Sequence, residues 1–182
     1  TSRAEALLVA LAARRAIERG VALGYLETQL KLRFADAQPK AVDAVILAGS
    51  TPASLDQLSA DLDRLAPKLV SSPSEQGGWA RISSELANLF VIRRDSAAPG
   101  KPVDRLDRAK LLLRSGRLGD AAAEIEAMPG AEVARDWIVA ARRHDEGLRA
   151  LDLIETTALL EPERLKSGEG KPVVQPSPLE TP

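Results

Sequence analysis

Apolar residues recur along most of this chain at steps of three and four, broken by short Gly and Pro punctuation, and that rhythm predicts a succession of helices. The first spans residues 2–19, with Leu7, Leu8, Leu11 and Ile17 amid alanines, Ser2 placed to cap it and Gly20 and Gly24 to loosen or end it. Tyr25 to Phe34 carries Leu26, Leu30 and Phe34 at i, i+4 and i+8, an amphipathic helix that needs a partner. Pro39 opens a third helix, with Val42, Val45 and Ile46 facing inward before Gly49. Thr51-Pro52 and Ser54 begin a fourth, striped by Leu55, Leu58, Leu62 and Leu65.

The chain is organised around residues 103–160. A first arm has Leu106, Leu111, Leu112 and Leu113 as its apolar positions, and Gly116 falls where a left-handed C-cap would stop it. A second arm starts near Leu118, carries Asp120 at the positive end of its dipole, and repeats Ala122, Ile125 and Met128 until Pro129-Gly130. The long third segment has no Gly or Pro inside it except Gly147. Trp137, Ala141, His144, Leu148 and Leu151 share one face of it and predict a helix-packing interface, within the domain or between copies. Pairs of short helices with brief turns predict an all-α fold, with hairpins packed as a bundle or short solenoid and a long C-terminal helix.

Three stretches break the rhythm. Residues 67–78 (containing SSPSEQGG) and 95–102 (DSAAPGKP) have too little apolar surface to order themselves and read as connectors. Residues 167–182, with four prolines and no helical period, read as a disordered tail. The organisation expected is therefore N-terminal hairpins over 1–66, a connector over 67–78, an isolated helix over 79–94, a connector over 95–102, C-terminal helices over 103–166, and the tail.

The isolated helix is the strongest candidate for function. Trp79, Ile82, Leu86, Leu89 and Phe90 share one face of it, and Arg81, Arg93 and Arg94 bracket it. Interfacial helices place an apolar face at the headgroup boundary while Arg or Lys contacts anionic lipid. The plainer reading of the same stripe is a core helix. Formal net charge is only −1, from 25 basic and 26 acidic residues, so no global field holds nucleic acid, and attraction to a membrane has to come from a local patch such as this one.

Leucine-rich helix, Gly116-Arg117-Leu118-Gly119-Asp120 with Ala121 and Ala122, Met128-Pro129-Gly130, then Asp136-Trp137-Ile138, Ala140-Ala141-Arg142-Arg143 and Leu148-Arg149-Ala150-Leu151 occur here in that order. This succession resembles the C-terminal domain of mitofilin, and more narrowly the mitofilin-like inner-membrane proteins of alphaproteobacteria. Its turn departs from a compact Gly-Asp-Leu, which bears on where the second arm starts. The resemblance implies a membrane-organising protein with an amphipathic lipid-binding segment ahead of its C-terminal helices. It also implies an N-terminal transmembrane helix and a helical stalk before the part seen here, and the periplasmic side of the bacterial inner membrane as location. Partners expected are an anionic membrane surface, further copies of the chain as a homo-oligomer, and a protein partner.

Composition narrows the chemistry. Aromatics are 3% of residues and the 45% hydrophobic share rests on Ala and Leu, which favours helix. Without cysteine and with His144 as the lone histidine, Cys-based and multi-His metal sites and a Cys-His pair are excluded. Gly116 and Gly119 are followed by Asp120, where a phosphate loop needs Lys and Ser or Thr. No enzyme, metal or cofactor is expected. Two functions stay open: the membrane-organising domain, and a tetratricopeptide-like helical adaptor that binds a protein partner and uses the Trp79 helix as core.

Overall fold

The computed structural model describes residues 2–71 and 101–179. Among them are seven α-helices: α1 (Ser2–Arg19), α2 (Tyr25–Phe34), α3 (Pro39–Ser50), α4 (Leu55–Val70), α5 (Pro102–Arg114), α6 (Leu118–Glu126) and α7 (Arg135–Leu160). Short 3-10 turns cover Ala131–Ala134 and Pro162–Arg164. Strand-like pairing among the described residues is limited to one antiparallel bridge, Lys166 with Pro172. The fold is all-α, with a long C-terminal helix packed against others. The chain divides into two compact units, residues 1–58 with 140–182, and residues 59–139.

In the first unit α1 turns off at Gly20, whose φ of +65° is open to glycine at little cost. Gly20 N donates to Ile17 O and Val21 N to Ala16 O, the paired bonds that satisfy the last carbonyls of a helix. Ser54 then starts α4 with a reciprocal cap: Gln57 N donates to Ser54 Oγ (3.2 Å) and Ser54 N to Gln57 Oε1 (2.8 Å). The core is made by Ala6, Ala10, Ala13 and Ile17 of α1, Leu30 and Phe34 of α2, Val42 and Val45 of α3, and Leu151, Ile154 and Ala158 of α7. Each large side chain buried here contributes about 1.5–3 kcal/mol of transfer free energy.

The alanine face lets α1 approach its neighbours closely, so it is the small residues that face in. Leu8 stays 65% exposed and Leu11 40%. α7 is held to α1 by Arg14, whose Nη2 donates to Asp152 Oδ1 (2.6 Å) and Nε to Glu155 Oε1 (2.7 Å).

The C-terminal segment departs from its expected disorder over residues 167–179, which form a strap on this unit. Lys166 N donates to Arg33 O (3.2 Å), Val173 N to Leu165 O (3.1 Å), and Arg3 N to Gln175 Oε1 (3.3 Å). Ser177 Oγ donates to Leu160 O, and Val173 and Ser177 are buried. Prolines and the lack of a period exclude a helix here. They do not exclude an extended chain whose polar groups and few apolar side chains find partners far away in sequence.

In the second unit the α5–α6 hairpin is set by Gly116. Its φ is +75°, and Gly116 N to Leu113 O (3.0 Å) with Arg117 N to Leu112 O (2.9 Å) closes the C-terminus of α5. Leu106, Ala109 and Leu113 point inward against Leu118, Ala121, Ala122 and Ile125, while Leu111, on the opposite side of α5, is 67% exposed. Arg105 and Arg108 both reach Glu124 Oε2 at 3.2 Å.

The end of the N-terminal hairpins also differs from the expected 1–66 boundary. α4 continues through Pro67 to Val70. Proline forfeits one hydrogen bond in mid-helix, but two residues further on Leu69 is fully buried, which holds the helix together. Gly130 makes room for it: a Cβ there would lie 3.1 Å from Leu69 O. Likewise α5 begins at Pro102, a residue suited to the first helical position and one residue before the expected start of the C-terminal helices at 103.

Candidate functional site

The face of α7 predicted as an interface is largely buried. In the second unit Trp137 is 4% exposed; in the first, Ala141, His144 and Leu151 are buried and Leu148 is half-buried against the core. Backbone proximity explains the one glycine on this helix. A Cβ on Gly147 would stand 2.6 Å from Ala48 Cβ, so α3 and α7 cross nearly in contact. At the other end of the same face, Gln38 Nε2 donates to Thr157 Oγ1 (3.0 Å), which in turn donates to Leu153 O (2.9 Å).

His144 is a fastener. Its Nδ1 donates to Ala53 O at 2.8 Å, which fixes the neutral ring as the Nδ1–H tautomer and ties α7 to the turn before α4. Arg143 Nη1 adds a bond to Thr51 Oγ1 in the same turn (3.3 Å). Burial pushes the imidazole pKa below its usual value; the bond to Ala53 and the nearby charges of Asp145 and Glu18 oppose that without reversing it.

With the folded pKa below the unfolded one, the ring's contribution is complete above the unfolded value of about 6.5. It is lost as pH falls from there toward the folded pKa, because the unfolded chain takes the proton first. Urea titrations at pH 8, 7, 6 and 5 should show wild type losing stability relative to His144→Asn only on the acid side. A pH-independent gap between the two proteins would refute this assignment.

Among the described residues no three His, Cys, Asp or Glu side chains converge as metal ligands. The residues proposed from sequence for membrane contact, Trp79, Arg81, Ile82, Leu86, Leu89, Phe90, Arg93 and Arg94, lie outside the described residues. A surface that the sequence reading passed over is the outward side of α1. A shallow groove of about 450 Å³ there is lined by Leu8, Leu11, Ala12, Arg15, Ala16, Arg19 and Val21. The signal was present: Ala6, Ala10 and Ala13 recur at i, i+4 and i+7 on one side, and Leu8, Leu11, Arg15 and Arg19 step along the other.

Comparison with known proteins bears on residues shared by both units. Over 91 residues the chain is 33% identical to the MICOS complex subunit MIC60 of Coccidioides posadasii (strain C735), covering 48% of this chain and 14% of that protein. It is 32% identical, with the same coverage, to the MICOS complex subunit MIC60 of Uncinocarpus reesii (strain UAMH 1704). The chain spans only 14% of the length of these curated relatives. No solved structure matches it. The family model for mitofilin, described as a mitochondrial inner membrane protein, matches residues 63–159, more than half of the 182 residues and all of α5, α6 and the buried face of α7, and the chain therefore belongs to the mitofilin family.

Proposed function

We propose that this chain is a non-enzymatic, membrane-organising domain of a mitofilin-like inner-membrane protein. It oligomerises through helical faces and contacts or shapes the membrane through the amphipathic segment 79–94. The observation that carries this reading is the family match running unbroken from residue 63 to 159. The segment lies inside that span, the relatives are named as subunits of a complex, and the family is described as a mitochondrial inner membrane protein. The motif order from Gly116 to Leu151 supports a bacterial, alphaproteobacterial setting, with the domain on the periplasmic side of the inner membrane and anchored by an N-terminal segment. No helix among the described residues is long and apolar enough to cross a membrane.

Mechanistically, a bundle with buried alanine seams is a stiff holder, and the apolar stripe from Trp79 to Phe90 is the part that enters the headgroup boundary. Arg81, Arg93 and Arg94 would each add about 1 kcal/mol on an anionic surface. Vesicle titration followed by tryptophan emission tests this. Trp137 is buried and gives a constant background, so a blue shift with phosphatidylglycerol vesicles reports Trp79. Arg93→Glu with Arg94→Glu should weaken it, as should high salt. No vesicle association, together with global unfolding by Leu86→Asp, would make this segment core and favour a helical adaptor for a protein partner.

A further inference from the structure

We propose that residues 166–177 and the first turn of α1 form a latch that opens and closes as one unit while the rest of the first unit stays folded, and that the buried guanidinium of Arg33 keeps its closed state only weakly favoured. None of these residues falls in the stretch matched by the family model, 63–159.

Arg33 is 7% exposed, yet its charge is poorly met. Nε donates to Gln29 Oε1 at 3.2 Å and Nη2 to Glu5 Oε2 at 3.3 Å, and the side chain of Glu5 is itself 55% exposed. Among the described residues Arg33 Nη1 is the buried side-chain nitrogen or oxygen left without a hydrogen-bond partner. A buried donor that is unsatisfied, on a charged group above all, works against the conformation that buries it. What covers it is the strap. Ser167 N donates to Lys171 O (2.7 Å), and Gly170 N, at a φ of +78°, donates to Ser167 O (2.9 Å). This tight turn lays Gly168 on the guanidinium: a Cβ at 168 would stand 2.6 Å from Arg33 Nη2.

The fastenings of the closed strap are few, and they converge on the same elements. Lys166 N donates to Arg33 O, Lys166 Nζ pairs with Asp36 (2.5 Å), and Val173 buries its side chain in the core. Gln175 Oε1 accepts from Arg3 N, so the strap caps α1 from 172 residues away. Glu5, on the same first turn, is the carboxylate that meets Arg33. Release of the strap therefore uncaps α1 and hydrates Arg33 in one step. Unwinding of that first turn, in the other direction, takes away the donor to Gln175 and the carboxylate of Arg33 together. Contacts that stand or fall together make a local opening unit, with an opening free energy below that of global unfolding. In such a two-state element the orphaned Nη1 weighs on the closed side alone, because water reaches it once Gly168 lifts.

Native-state hydrogen exchange on the full chain tests the latch. The amides of Arg3, Lys166 and Val173 should share one opening free energy and exchange well before those of Leu30 and Val45 in the core. Arg33→Met keeps the length of the side chain and removes the orphaned donor, so it should slow exchange at Lys166 and Val173 roughly fivefold or more. Had Arg33 merely held the strap down, the same variant would speed exchange. Glu5→Gln, which touches neither amide, should speed exchange at both, and should have no further effect when added to Arg33→Met. Exchange of the three amides only through global unfolding, unrelated opening free energies at Arg3 and Val173, or faster exchange in Arg33→Met would overturn the latch. Should Arg33→Met fail to fold, Glu5→Gln decides alone, and unchanged exchange at Lys166 and Val173 would overturn it. None of these readouts involves lipid, so the latch and the proposed function stand or fall separately.

Discussion

Trp137→Ala should cost about 3–5 kcal/mol of stability, the range for removing a large aromatic side chain from a packed site. The indole is 4% exposed, and with total stabilities of about 5–15 kcal/mol for a domain such a loss takes a third or more of the margin. Val139→Ala, two residues on and 41% exposed, should stay within about 0.5 kcal/mol. Chemical denaturation of the two variants beside the parent measures both. If the loss from Trp137→Ala grows with dilution of the protein, the indole packs between copies; if it is independent of concentration, the indole packs within one. Equal midpoints for parent and Trp137→Ala would show that it does neither.

Gly20→Ala should be the most damaging of the glycine replacements in the first unit, because two costs coincide there. The residue holds φ at +65°, and a Cβ would stand 2.4 Å from Ser54 N and 2.8 Å from Gln57 Oε1, inside the reciprocal cap that starts α4. The backbone conformation alone costs about 1–2 kcal/mol, and overpacking adds about 1–3 kcal/mol. Gly24→Ala isolates the first cost: φ is +53° and nothing lies within 4 Å of the added carbon. Thermal or urea unfolding should therefore rank parent, Gly24→Ala and Gly20→Ala in that order. Equal losses at the two positions would mean that the cap of α4 moves aside without cost.

Helix placement was legible wherever the chain carries its own stop and start chemistry. Gly20, Pro39, Ser54 and Gly116 each act on backbone groups a few residues away, so a short window of sequence contains both partners of the interaction. The side of α1 that turns inward was less legible. Ala6, Ala10, Ala13 and Ile17 are buried and Leu8 is not, because the gain from close helix approach is a property of the neighbouring helices and cannot be seen in one helix's hydrophobicity.

Distance in sequence hid the rest. Arg3 meets Gln175 and Arg33 meets Lys166, so residues 167–179 acquire order from partners no local pattern reveals. Pro67 read as a stop because Gly130, which lets the Leu69 backbone approach closely, lies some 60 residues away in the chain. For the candidate site, the spacing of Trp137, Ala141, His144, Leu148 and Leu151 placed them on one face, whereas the partner of His144, a carbonyl 91 residues earlier, could be found only in three dimensions.

The first unit is built from two stretches of chain separated by the whole of the second. Arg14 and Asp152, which join α1 to α7, are 138 residues apart. At about 5–20 residues per second, a ribosome needs on the order of 10 s to make that interval. During it α1, α2 and α3 exist without α7, with Leu30, Phe34 and Val45 lacking one wall of their core, while residues 59–139 already carry every residue of their own. The late arrival of α7 makes the N-terminal helices the part most exposed to premature association with another nascent copy.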